Sequence, residues 1–161
     1  MGEREEFVET LDKHRDLLRR TVRDLTDEQA ARRTTVSELC LGGLIKHVAA
    51  VEARWARFIV GGAEAMRSGG GDWAAQFRMT EGETLADLLD AYGEVARDTD
   101  ELVRSLPDLD LAHPLPPAPW FEQGASWSAR RVLLHVIAET AQHAGHADII
   151  REALDGAKSM G

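Results

Sequence analysis

The chain has 161 residues, with 19 Lys plus Arg against 28 Asp plus Glu, a formal charge of −9. That length suits one domain, residues 1–161, with a sizeable core and leaves two full domains cramped. Hydrophobic residues at 43% and charged residues at 29% are ordinary for a globular protein and exclude intrinsic disorder. The acidic balance argues against nucleic acid as a partner, because phosphate contacts need clustered Lys and Arg. One Cys excludes an internal disulfide and any Cys-based zinc knuckle, whereas six His leave open a site of imidazole plus carboxylate. The N-terminus, Met1-Gly2-Glu3-Arg4-Glu5-Glu6, is too charged for a signal peptide, and no apolar run nears the ~20 residues of a membrane span. A cytoplasmic protein without a membrane partner is expected.

The apolar period is helical almost throughout. Phe7, Leu11, His14, Leu18, Val22 and Leu25 recur at threes and fours and predict a first helix over residues 3–25, with His14 in its core stripe. Thr26 and Gln29 have capping-box spacing, so a short helical turn follows. Ser37 can cap a second helix striped by Leu41, Leu44, Val48, Val51, Trp55 and Phe58, which Gly61-Gly62 ends. Residues 61–82, with Gly69-Gly70-Gly71, carry the weakest signal for regular structure. A third helix starts near Thr84 and is closed by Pro107. Residues 107–126 hold all five prolines and read as an ordered loop, with His113 at the surface. Ser126 or Ser128 caps a fourth helix, residues 127–155, ending near Gly156. The pattern is all-α: a four-helix bundle with two long inter-helix loops. Long loops of this kind are either functional or tolerated surface insertions.

The chemistry lies in the fourth helix, His135-Val136-Ile137-Ala138-Glu139-Thr140-Ala141-Gln142-His143-Ala144-Gly145-His146. Glu139 and His143 are about 40° apart and one turn removed, and His146 falls within about 20° of Glu139. Val132 and Ile150 share the stripe, so polar groups stand where a bundle places Leu. A buried carboxylate among imidazoles is costly unless something binds it, and a divalent cation would do so. A further ligand must come from another helix. His47, one turn before Val51, is the best candidate. His47, Glu139 and His143 make a set of two His and one carboxylate, with open positions for water or substrate. Spacing alone leaves other readings standing. A His on an apolar face also reads as a core histidine, and an i,i+4 Glu–His pair as a surface ion pair. His135 reads equally as a hydrogen-bonding residue or a ligand. Cys40 reads as a small buried hydrophobe, and Glu52 as facing outward or paired with an Arg.

The run from Leu133 to Glu152, with Glu139-Thr140-Ala141-Gln142-His143-Ala144-Gly145-His146, resembles the last helix of the DinB/YfiT-like superfamily. In particular it is similar to a branch of actinobacterial DinB-like proteins that carries E-T-A-x-H-A-G-H-x-D-I-x-R-E. Leu44-Ile45-Lys46-His47-Val48 through Trp55 resembles that branch's second helix, and Leu25-Thr26-Asp27-Glu28-Gln29-Ala30 matches a recurrent phrase. The likeness covers nearly the whole chain.

The resemblance implies a four-helix bundle holding a divalent metal (Zn first; Ni, Mn or Fe also allowed) through His47, Glu139 and His143. Many members have His where this chain has Glu139, followed by H-R-G-Q. The related mycothiol-dependent maleylpyruvate isomerase is similar to this chain in using His, Glu and His. Ala144 and His146 replace the Arg and Gln of that run, so the residues around the ligands differ. His146 is an extra ligand or, on the favoured reading, hydrogen-bonds one. The implied activity is metal-dependent S-transfer or isomerisation with a low-molecular-weight thiol of the mycothiol or bacillithiol type, acting on an electrophile in detoxification. The alternatives are a non-catalytic metal-binding stress-response protein and a metal-dependent hydrolase, the latter without an evident general base. Trp73, Trp120, Phe121 and Trp127 are either pocket wall or packing. A homodimer through helix faces is also expected of such bundles.

Overall fold

The computed structural model describes residues 1–160. In chain order it has α1 (Glu3–Arg20), α2 (Asp27–Ala31), α3 (Leu41–Arg67), a 3-10 turn (Ala74–Phe77), α4 (Leu85–Ser105), the strands β1 (Ala112–Pro114) and β2 (Ser126–Ser128), and α5 (Ala129–Asp155). The four long helices make the expected all-α bundle. α1 packs on α5 and α4, and α3 packs on α4 and α5.

Local chemistry sets the helix ends. Thr26 accepts from the Gln29 amide while the Gln29 side chain accepts from the Thr26 amide, closing the capping box that opens α2. Thr84 caps α4 and Ser128 caps α5, each accepting from the amide three residues on. Gly156, at φ 82°, ends α5 in the left-handed conformation that glycine adopts without strain.

Four boundaries differ from the sequence expectation. α1 stops at Arg20, because the Thr21 hydroxyl and amide both fold back on the Leu18 carbonyl. Val22 stays buried beyond the helix end, and Leu25 packs partly buried on the same core cluster. α3 begins at Leu41 with buried Cys40 at its N-cap, so Ser37 caps nothing there. Nor do Gly61-Gly62 end it: the helix runs on to Arg67 through a kink at Gly62, whose φ of 73° and ψ of −160° suit only glycine. The proline-rich segment folds as a small antiparallel hairpin pairing Ala112 with Ser128 and Pro114 with Ser126. Its His113 is half-buried rather than exposed. The His113 Nε2 lies 3.1 Å from the Ile59 carbonyl and the ring packs edge-on to Phe58, seated against the kink.

The core is in two parts. One cluster gathers Leu11, Val51, Trp55, Phe58 and Val136; the other gathers Leu18, Leu44, Val48, Tyr92 and Ala144. A polar waist separates them. On α1, Arg15 falls between Leu11 and Leu18; on α5, Thr140 falls between Val136 and Ala144. Arg15 and Glu52 are fully buried and joined by two hydrogen bonds, 2.5 Å and 3.3 Å. Arg15 also reaches Asp12 at 2.8 Å and Asp100 at 2.9 Å, tying α1, α3 and α4 together. The core face of α1 therefore carries Arg15 and leaves His14 half-exposed, a correction to the predicted stripe. An arginine sits there because Glu52, reaching across the bundle from α3, neutralises it.

Candidate metal centre

The waist brings the predicted ligands together. His47 on α3 and Glu139 and His143 on α5 each offer a ligand atom, all within 4.8 Å of one another. His47 is buried; Glu139 and His143 are half-buried and flank the fully buried stripe of α5. The polar stripe therefore lies at the edge of the core, not in its centre as the helical wheel implies. A metal with bonds of about 2.0–2.2 Å needs donors about 3.3 Å apart, so modest side-chain rotation closes the set. The donor chemistry fits a borderline cation such as Zn²⁺.

The rings are oriented by neighbours. Gln76 donates its amide nitrogen to the Trp73 carbonyl (3.0 Å), which turns its oxygen to His47 Nδ1 at 2.8 Å. That oxygen can only accept, so Nδ1 carries the proton and the Nε2 lone pair of His47 is free for a cation. Phe77 stacks on the same imidazole at a centroid distance of 4.2 Å. His143 places Nε2 3.5 Å from Glu139 and Nδ1 3.2 Å from Nδ1 of exposed His146. His143 Nε2–H faces Glu139 as the donor and leaves Nδ1 to accept from His146; a cation at Nε2 would take the other tautomer, with Nδ1 donating to His146.

Protonation suits a cation. Burial holds the His47 imidazole below the usual histidine range, and the hydrogen bond from His143 holds Glu139 below the usual carboxylate range. A neutral imidazole and an ionised carboxylate are the forms that bind metal. His135, also held low by burial, lies 3.7 Å from the other Glu139 oxygen and packs against Trp55 and Trp127. It borders the cluster through Glu139.

Among the pocket-wall candidates, Trp127 and Phe121 pack on Trp55, while Trp73 and Trp120 are largely exposed. Glu52 faces inward and is held by Arg15, so it cannot serve as a base at this site. Gln76 escaped the sequence reading because it lies 29 residues from His47 in the weakest stretch of pattern. Arg54 also went unread, although it stands seven residues after His47 on the same helix face.

A helical bundle with a two-His, one-carboxylate cluster shared between two long helices is the arrangement of a DinB/YfiT-like protein. The chain belongs to the mycothiol S-transferase family, whose model matches residues 6–156. No curated protein matches the chain. Among the described residues, no helix is long and apolar enough to cross a membrane.

Proposed function

We propose that residues 1–161 act as one unit that binds a divalent metal through His47, Glu139 and His143 and transfers a mycothiol-type thiol to a small electrophile in the cytoplasm. The observation that carries this reading is the convergence of the three donors, with the His47 tautomer already set for ligation. The family match over residues 6–156 supports the choice of thiol chemistry.

His47 offers Nε2, His143 offers Nε2, and Glu139 offers a carboxylate oxygen. When bound, a divalent ion lowers the pKa of a thiol at an open coordination position, supplying a nucleophile near neutral pH. Gln76 holds His47 in the ligating tautomer, and His146 would accept from His143 Nδ1 once a cation takes Nε2. Phe77 covers one flank of the cluster, and Trp55 and Trp127 back His135 on the other, limiting water there. The hydrolase reading gains no support, since Glu52 is engaged by Arg15.

Elemental analysis of purified protein tests the metal: about one equivalent is expected in the wild type and none in His143→Ala. If the wild type holds no metal and added Zn²⁺ leaves its melting temperature unchanged, the ligand set is wrong. A mycothiol assay with an electrophilic substrate then tests the chemistry. Stoichiometric metal without thiol-dependent turnover would favour the non-catalytic metal-binding protein.

A further inference from the structure

Beside the metal centre lies a second feature that the thiol chemistry leaves unused. A cavity of about 470 Å³ opens between α3 and the Gly69–Gln76 segment, lined by Lys46, Arg54, Arg57, Asp72, Trp73 and Gln76. That volume is within the range of small-molecule sites. Gln76 belongs both to this wall and to the His47 hydrogen bond, so the cavity adjoins the candidate metal centre.

The cations of the wall differ in their partners. Lys46 is neutralised by Glu83 at 2.8 Å. Asp72 spends one carboxylate oxygen on the Ala74 amide at 3.0 Å. Arg54 and Arg57 are otherwise placed: among the described residues neither makes an ion pair, and the Nε of each is buried without a hydrogen-bond partner. In a chain of charge −9, with acidic groups in surplus, two adjacent guanidiniums without a salt bridge are conspicuous, the Glu139 carboxylate acting on Arg54 only from a distance. Their placement is constrained. The Arg54 guanidinium lies 5.2 Å from the centre of the Trp73 ring, and the Gly69 backbone passes so close to Arg57 that a Cβ there would collide with its guanidinium. Arg54 stands two helical turns from His47, about 10 Å along α3.

We propose that Arg54 and Arg57 form an anion subsite that binds the carboxylate of the electrophilic substrate while its reacting carbon faces the metal centre. This rests on the thiol-transfer reading for the reaction but not for the binding. A planar fork of N–H donors matches a carboxylate in two parallel hydrogen bonds, and a desolvated donor without a partner gains most from such a ligand. The substrate class is thus a small carboxylated electrophile.

Calorimetric titration with succinate, at ionic strength held constant with NaCl, tests the subsite. Wild-type protein is expected to bind it saturably at one site per chain. Arg54→Gln and Arg57→Gln should each weaken binding about tenfold or more, and Gly69→Ala should weaken it by displacing Arg57. Arg57→Lys, which keeps the charge but loses the fork, should fall between. Arg54→Gln and Arg57→Gln should keep the metal content of the wild type, which separates this subsite from the metal assignment. Absence of saturable binding, or folded Arg54→Gln and Arg57→Gln proteins that bind as the wild type does, would overturn the proposal. Inorganic phosphate binding at least ten times more tightly than succinate would overturn the carboxylate class.

Discussion

Gln76 and His146 touch no predicted ligand atom, yet each contacts Nδ1 of an imidazole proposed to ligate. Partners of this kind typically account for 10–100-fold in metal affinity. His146→Ala and Gln76→Ala should therefore retain metal at full stoichiometry but bind it about 10–100-fold more weakly in a competitive chelator titration. Loss of stoichiometry in either would mean that the residue is itself a ligand. Protons compete at the same atoms. The folded-state pKa of His47 and of His135 lies below that of the unfolded chain, so the unfolded chain takes up protons first as pH falls. Metal-free protein should lose stability as pH drops below the ordinary histidine value of about 6.5. Glu139, with its pKa lowered, keeps its contribution until pH falls through the carboxylate range. Urea unfolding of the metal-free protein at successive pH values measures this, and His47→Gln should flatten the fall.

At the scale of the element, the kink in α3 concentrates a testable constraint. Gly62 holds a backbone conformation open only to glycine, with His113 Nδ1 3.2 Å from where a Cβ would stand. Gly62→Ala should cost about 1–3 kcal/mol, seen as a melting temperature lower by roughly 2–4 °C for each kcal/mol. An unchanged melting temperature would show that the helix straightens there without loss. This element also shows what the sequence could and could not convey. The bundle was legible because apolar residues recur at threes and fours, and the caps Thr26, Thr84 and Ser128 announce themselves by side-chain type. The continuation past Gly61-Gly62 was not, because helix termination is a local rule and His113, 51 residues away, props the kink. The three candidate ligands were legible because Glu139 and His143 are helical neighbours and His47 shares the apolar face of its own helix. Gln76 was not, since its contact with His47 exists only in three dimensions.

For the molecule as a whole, the two-part core and its charged waist set the stability balance. Removing Arg15 leaves Glu52 buried without its ion-pair partner, a loss of about 3–5 kcal/mol. Against a typical total of about 5–15 kcal/mol, Arg15→Met alone should come close to unfolding the protein. Arg15→Met with Glu52→Leu removes both charges and should recover most of that loss, with Asp12 and Asp100 free to turn toward solvent. Denaturant midpoints of the three proteins decide it, and a double variant as unstable as the single would mean that the charges carry the fold directly.

Oily surfaces can slide along one another at little cost, since dispersion contacts are interchangeable. A fork of guanidinium N–H groups locked on a carboxylate is not. The Arg15–Glu52 pair therefore works as a key in a shaft, allowing α1 and α3 one axial setting. His47 lies little more than one turn from Glu52 on the same helix, so its height against Glu139 and His143 is indexed by the same key. The Arg15→Met, Glu52→Leu protein would then be a stable bundle whose ligands no longer align to the same tolerance.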